Sequence, residues 1–206
     1  MKYGELNLGQ IEAVVNKLGG MDGVNKFLRG ELIVSGPIRS WREENGVIYF
    51  SVTSDGTSGE EWITRLESKG FRINNYAKSV LRSKNFKSEK PTTYEIAVLK
   101  GEIFSDNKRI TKNIRKEARK RSLSIPNAEV ACLIREKFSN KELEAMGLYW
   151  IVTMHEPIKD SDGVLLLLGA NRNDSGSWLY AYYGNPAYKW DRSDGFPFVV
   201  SQVSGS

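Results

Sequence analysis

Basic residues concentrate in one short run of the sequence, from Arg109 to Arg121. Seven lysine and arginine residues against the single Glu117 give this run a net charge of +6 over thirteen residues. Cationic side chains at this density can neutralise nucleic-acid phosphates, and each such contact adds a salt-dependent increment of affinity. The run is therefore the first candidate for a binding site.

A helix over this run would separate its charges from a narrow apolar stripe. Ile110, Ile114 and Ala118 recur at intervals of four, which predicts that they face the core. The basic residues then cover the rest of the circumference and form the candidate site for nucleic acid or another acidic partner: Lys112, Arg115, Lys116, Arg119, Lys120 and Arg121. The alternative is a helix face that simply meets solvent, as runs of charge usually do.

His155, the single histidine, carries the second candidate chemistry. With Glu156 and Asp162 close in sequence, it could act in general acid–base catalysis because its pKa ordinarily lies near neutrality. Neighbouring residues of a strand point to opposite faces, so the pair would have to lie in a loop that Pro157 introduces. The resulting hypothesis is an enzyme of the hydrolase type, an alternative to a non-enzymatic binding protein.

Other familiar chemistries have no sequence signature. Phosphate-cradling and dinucleotide-binding glycine patterns and the nucleophile elbow are missing from the sequence. One cysteine and one histidine are too few for a structural zinc centre, and Cys132 lies in an apolar run typical of a buried side chain. We therefore expect neither a cofactor nor a bound metal.

The C-terminal third is rich in aromatic residues. About half of these would point away from the core if the strands alternate, and Tyr180 and Tyr182 would share one face. A large exposed patch around these two would indicate a protein–protein adaptor, whereas a covering layer of N-terminal helices would leave only a packed sheet. The aromatic residues are Tyr149, Trp150, Trp178, Tyr180, Tyr182, Tyr183, Tyr188, Trp190, Phe196 and Phe198.

Helical patterns dominate the first two thirds of the chain. Apolar spacing predicts two short helices before residue 30, interrupted by Gly19-Gly20, with Asp22 as N-cap of the second. Asn45-Gly46 predicts a hairpin turn ahead of the strand-like run 47–52. In the centre, Val130, Leu133 and Ile134 mark the buried side of another helix, and Ser139 with Glu142 forms a capping box for the next.

Four strand-like runs follow, at 148–154, 164–168, 178–183 and 196–203. Short connections with turn chemistry favour antiparallel pairing between them. The predicted fold is α+β: a C-terminal antiparallel sheet of about four strands, packed by the central helices, with an N-terminal helical pair. We expect a single domain over residues 1–206, with a possible subdivision into 1–90 and 91–206.

Bulk composition narrows the class of protein. The 206 residues carry a net charge of +5 and 40% hydrophobic residues, which is ordinary globular usage. The longest apolar runs are strand-sized, far short of the about 20 residues of a membrane-spanning helix. Without a secretory-signal pattern near Met1, a cytoplasmic location and no membrane partner are expected.

Four stretches of the sequence resemble those of a group of uncharacterised bacterial proteins. The resemblance extends over nearly the whole chain and implies a bacterial cytoplasmic setting, but no activity. The stretches are 18–31, Asn127 to Glu136, Met154 to Ile158 and Phe198 to Val203.

The basic run and the missing catalytic motifs lead to one expectation. The sequence predicts a non-enzymatic binding protein whose basic helix engages nucleic acid or an acidic protein. The adaptor and the hydrolase remain the alternatives.

Overall fold

The computed structural model describes residues 7–34, 39–89, 91–160, 162–173 and 175–200. Its contacts divide the chain into two compact units, Met1–Ser40 and Trp41–Ser206.

The first unit contains the predicted pair of helices, α1 (Leu8–Lys17) and α2 (Gly20–Leu28). Asn7 and Gln10 form a capping box at the start of α1, each side chain accepting from the other's backbone N–H. The prediction of Asp22 as the cap of α2 is wrong, because that helix begins earlier and Gly19 takes the N-cap position.

The second unit contains ten strands and five α-helices within the described residues. The strands are β1 (Arg42–Glu44), β2 (Val47–Ser54), β3 (Arg72–Ile73), β4 (Thr92–Lys100), β5 (Leu123–Ser124), β6 (Trp150–Val152), β7 (Ile158–Lys159), β8 (Leu165–Asn173), β9 (Gly176–Tyr183) and β10 (Asp194–Val200). The helices are α3 (Gly59–Ser68), α4 (Asn75–Arg82), α5 (Thr111–Lys120), α6 (Glu129–Lys137) and α7 (Asn140–Ala145).

All ten strands join in one mixed sheet. Its main order is β1-β2-β4-β10-β6-β8-β9-β3, with β5 pairing to β10 and β7 to β8. Two pairs are parallel, β6 with β10 and β3 with β9, while the other pairs are antiparallel. The predicted four-stranded antiparallel C-terminal sheet is therefore wrong in size, pairing and composition.

The prediction was wrong because it assumed that each C-terminal strand pairs with the next strand along the chain. The hairpin β8–β9 is present, but β10 inserts between β4 and β6, and it runs parallel to β6. Strand β4 is about a hundred residues away in sequence, so turn chemistry carries no information on that pair. The local prediction at Asn45-Gly46 is confirmed, since both residues have positive φ and join β1 to β2.

Helices α3, α4, α6 and α7 cover one face of the sheet, called here the first face. Alternate strand residues such as Phe50, Ile96 and Leu168 meet the fully buried Trp62 and Phe138 in one core cluster. The predictions for the central helices are confirmed: Val130, Leu133 and Ile134 are buried on α6, and Ser139 with Glu142 caps α7. These helices fix the strands from one side only.

The opposite face, called the second face, packs a smaller core. Ile114 and Ala118 of α5 meet Phe196 and Phe198 of β10 there, together with Trp190 from the loop before that strand. This face positions the basic run and most of the C-terminal aromatic residues.

Candidate nucleic-acid interface

Helix α5 is fixed to the second face at both ends. Its first backbone N–H groups, those of Thr111 and Lys112, donate to the carbonyl oxygens of Tyr188 (3.2 Å) and Pro186 (2.9 Å). The indole of Trp190 donates to the Thr111 hydroxyl at 3.0 Å. After the helix the chain enters β5, which pairs with the end of β10. The helix is held in place by neighbours distant in sequence.

The burial pattern of α5 matches the predicted apolar stripe. Ile114 and Ala118 are buried, and the N-cap Ile110 is half-buried. The six basic residues, however, do not share one environment, because three of them are engaged, one by another part of the chain and two by Glu117 of the same helix.

Arg115 is one of those three and is a structural residue. Its guanidinium donates to the backbone oxygens of Met154 (3.2 Å) and His155, and lies 3.5 Å from a carboxylate oxygen of Glu156. Only 16% of its side chain is exposed. Arg115 thus ties the middle of α5 to the chain that follows β6.

Lys120 and Arg121 share the carboxylate of Glu117. Arg121 Nε lies 3.0 Å from Glu117 Oε1, and Lys120 Nζ lies 3.5 Å from Oε2. These partly exposed pairs lower the pKa of Glu117, chiefly through its hydrogen bond with Arg121. Part of the positive charge at the C-terminal end of α5 is therefore neutralised locally.

Lys112, Lys116 and Arg119 are the remaining predicted residues, called here the basic stripe. All three are exposed, and the ion pairs formed among the described residues include none of them. Their spacing of four and three residues places them on one side of the helix, opposite Ile114 and Ala118, along about 10 Å of the axis. They can accept external phosphates without breaking an ion pair of the part of the chain that the structure describes.

An aromatic cluster lies on the same face, beside the start of α5. Tyr182 packs against Trp150 and Tyr180, with ring centroids 5.1 and 5.3 Å away, and against Trp190 at 5.9 Å. Tyr188 packs against Trp190 at 4.5 Å. The backbone of Tyr188 also accepts from Thr111, so the cluster and α5 share one loop.

Gly169 allows this aromatic packing across the sheet. A Cβ atom at this position would lie 3.0 Å from Cε2 of Tyr182 and 2.6 Å from the backbone oxygen of Ile151. With no side chain at Gly169, the Tyr182 ring can lie over β8, where its hydroxyl accepts from Asn171 Nδ2 at 3.2 Å. The glycine therefore brings tyrosine and asparagine together.

A cavity of about 470 Å³ opens beside this cluster at the edge of β9, called here the aromatic cavity. It is lined from the second face by Trp150, Asn171, Asn173, Tyr180, Tyr182 and Tyr188. Asp160 and Asp162, from the connection between β7 and β8, also line it. The cavity combines flat rings with a few polar groups, as small-molecule sites do.

Two residues that line the aromatic cavity each have a buried polar atom without a partner. Trp150 Nε1 and Asn171 Oδ1 form no hydrogen bond within the described part of the chain. Trp150 and Asn171 are cross-strand partners. On the next strand to either side, Asp194 of β10 pairs with Trp150 and Trp178 of β9 pairs with Asn171. Burial raises the pKa of Asp194 to about 7. Buried polar atoms without partners are rare and require an explanation.

Sequence reasoning singled out Trp150 only as one aromatic residue among many, and it missed Asn171. No sequence signal identifies Asn171, because its role depends on pairing with β6 and on the neighbouring Tyr182 hydroxyl. The register of a sheet brings these groups together, and register between distant strands is not visible in a single sequence.

A cavity of about 580 Å³ is lined partly by His155, Glu156 and Pro157, but the His155 ring is not free to act as a general base. Nε2 accepts the backbone N–H of Leu168 at 2.9 Å, so Nδ1 carries the proton and donates to the Glu156 oxygen at 2.7 Å. The ring is 1% exposed, and burial lowers its pKa to about 4. Both ring nitrogens are occupied, and the neutral ring joins two segments of backbone.

Of the two residues named for the adaptor alternative, Tyr182 is buried, with 6% of its surface exposed, and Tyr180 is 39% exposed. Only Tyr180 is therefore open to a partner. Cys132 is fully buried. Among the residues that the structure describes, no group of His, Cys, Asp and Glu side chains could hold a metal ion.

Comparison with protein-family models, with curated proteins and with solved structures gave no match. Within the described ranges, no helix is both long and apolar enough to cross a membrane.

Proposed function

We propose that the protein is a non-enzymatic binding protein that engages the phosphate backbone of nucleic acid through the basic stripe. The observation that carries this proposal is the exposure of Lys112, Lys116 and Arg119 on one side of a rigidly held helix, where they enter none of the ion pairs formed among the described residues. A helix face that only meets solvent does not need cations without ion-pair partners, whereas a face that binds phosphates does.

Charge elsewhere in the basic run favours the same conclusion. Arg109 is buried and donates to backbone oxygens of Gly101 and Phe104. Arg109 and Arg115 therefore stabilise the fold. The three stripe residues remain as cations available to a ligand. Three phosphate contacts are few, so we expect binding that is weak and strongly salt-dependent.

The test is fluorescence polarisation of labelled single-stranded and duplex oligonucleotides across a salt series. For three phosphate contacts, the plot of log affinity against log salt concentration should have a slope of about −2 for a single strand, and about −2.7 for a duplex. Replacing Lys112, Lys116 and Arg119 with glutamine should bring that slope close to zero and leave thermal unfolding unchanged.

A matched control removes the same charge elsewhere. Lys17, Lys137 and Lys141 are exposed lysines outside α5, and their triple glutamine variant should bind like the wild type. Equal losses in the two variants would mean that net charge alone drives binding and would defeat the proposal. Absence of binding to any oligonucleotide at low salt would also defeat it, and an acidic protein would then become the favoured partner.

A further inference from the structure

We infer that the aromatic cavity takes one unpaired nucleobase, so that the nucleic acid bound by the basic stripe is single-stranded. This inference rests on the proposed function, because the stripe supplies the phosphate contacts of the same ligand. It assigns to the cavity a ligand class, a flat heterocycle with hydrogen-bonding edges.

The aromatic cavity and the basic stripe are adjacent. Lys112, the first stripe residue, donates its backbone N–H to Pro186, and its neighbour Thr111 donates to Tyr188. Tyr188 itself lines the cavity. A strand whose phosphate lies at Lys112 therefore has a base within reach of the aromatic rings.

The aromatic cavity has a negatively charged wall. Asp160 and Asp162 line it, and its described lining includes no lysine or arginine. Carboxylates repel a phosphate, so the anionic backbone is kept outside, near the stripe. A neutral base meets no such penalty.

Two residues of the cavity wall, Trp150 and Asn171, each have a buried polar atom without a partner among the described residues, the donor Nε1–H and the acceptor Oδ1. Every base carries acceptors and donors along its edge, so a base seated against these side chains can supply a missing partner once either side chain turns towards it. Tyr180 and Tyr188 supply the ring faces on which bases stack without sequence preference.

The complementary strand of a duplex would block this arrangement. Bases in a duplex are paired and stacked, and each would have to be turned out of the helix before entering the cavity. The cavity thus favours single strands over duplexes.

The experiment compares three fluorescein-labelled probes with the full chain: a thymidylate 12-mer, an abasic 12-mer of the same charge, and a 12-base-pair duplex. Stacking of one base should make the thymidylate probe bind about tenfold more tightly than the abasic probe. Variants Tyr180→Leu and Tyr188→Leu should remove most of that preference while the affinity for the abasic probe stays unchanged. Tyr49→Leu, a half-buried tyrosine of β2, is the matched control and should keep the preference.

A second readout does not depend on the folding of any tyrosine variant. In ¹⁵N-labelled wild type, the Trp150 indole N–H signal, assigned with Trp150→Phe, should shift on titration with thymidine 5′-monophosphate. The other four indole signals should move less.

The outcomes separate the two proposals. Equal affinity for the thymidylate and abasic probes would overturn the base site and leave the phosphate-binding stripe standing. A base preference that survives in both tyrosine variants would also overturn it, because the base would then bind elsewhere. No binding of either 12-mer, with an indole shift, would defeat the stripe but support the cavity; no binding and no shift would defeat both.

Discussion

His155 illustrates how a residue with catalytic potential is used as structure. Its chemistry suggested a general base, yet its two ring nitrogens join Leu168 and Glu156 through backbone hydrogen bonds. Arg115, which donates to the carbonyl oxygen of His155, adds a positive charge beside the ring and further disfavours protonation. At the scale of the residue, burial decides its role.

This arrangement predicts a pH dependence of stability. In the unfolded chain the imidazole titrates near 6.5, while burial lowers the pKa to about 4 in the folded protein. The unfolded state therefore binds more protons in this window, and the contribution of His155 is complete above pH 6.5 and is lost as the pH falls towards 4. The loss between pH 7.5 and 4.5 should be about 2–3 kcal/mol.

The measurement is urea unfolding of wild type and His155→Gln at both pH values. Glutamine does not titrate, so the difference in unfolding free energy between the two proteins should shrink as the pH falls. Carboxylate titrations are common to both proteins and cancel in this difference. A difference that stays constant would contradict the assignment of a neutral buried ring.

At the scale of the element, α5 combines two tasks on one helix. Its sequence pattern correctly predicted a helix and its apolar face, but gave all six basic residues equal standing. The structure divides them, since Arg115 lies over the chain after β6 and Glu117 holds Lys120 and Arg121. Periodicity shows which residues share a face, but not which neighbours meet its flanks.

The division predicts opposite effects for adjacent substitutions. Arg115→Gln removes donors to Met154 and His155 and should lower the free energy of unfolding by about 1–3 kcal/mol. Lys116→Gln should change it by no more than about 0.5 kcal/mol, because that side chain is exposed. For oligonucleotide affinity the order should reverse. Urea unfolding and fluorescence polarisation of the two variants test both statements, and equal stabilities would contradict them.

At the scale of the whole molecule, the core of the second unit is self-sufficient. Neither hydrophobic cluster includes a described residue before Trp41, which is itself 7% exposed in the larger cluster. The exposed apolar side chains of α1 and α2, such as Leu8 and Leu28, take no part in these clusters. The unit from Trp41 onward therefore has its own complete core.

We expect a chain lacking residues 2–38 to fold with a single cooperative transition. Its melting temperature should lie within about 4 °C of the full-length value, since no described residue of the deleted stretch belongs to either core cluster. The matched control is Trp41→Ala in the shortened chain, which should cost about 3–5 kcal/mol because it empties a core position. Scanning calorimetry gives both values, and loss of the transition on shortening alone would contradict the prediction.

The sequence by itself determined whatever depends on near neighbours in the chain. Helical periodicity defined α5 and α6, a capping box defined the start of α7, the Asn45-Gly46 pair defined a hairpin turn, and composition defined the basic run. Each of these features depends on contacts within a few residues, where side-chain type and backbone preference act directly. An α+β class follows from such local patterns.

Only the tertiary structure decided the order of the sheet and the candidate sites. Insertion of β10 between β4 and β6 depends on burying both faces of a central strand, a gain that no local pattern records. Pairing of β6 with β8 places Asn171 beside Trp150, and packing of α5 on the second face engages Arg115, whereas Lys116 enters no ion pair of the described residues. Free charge and unpaired polar atoms are properties of what surrounds a residue, and the surroundings come from parts of the chain far away in sequence.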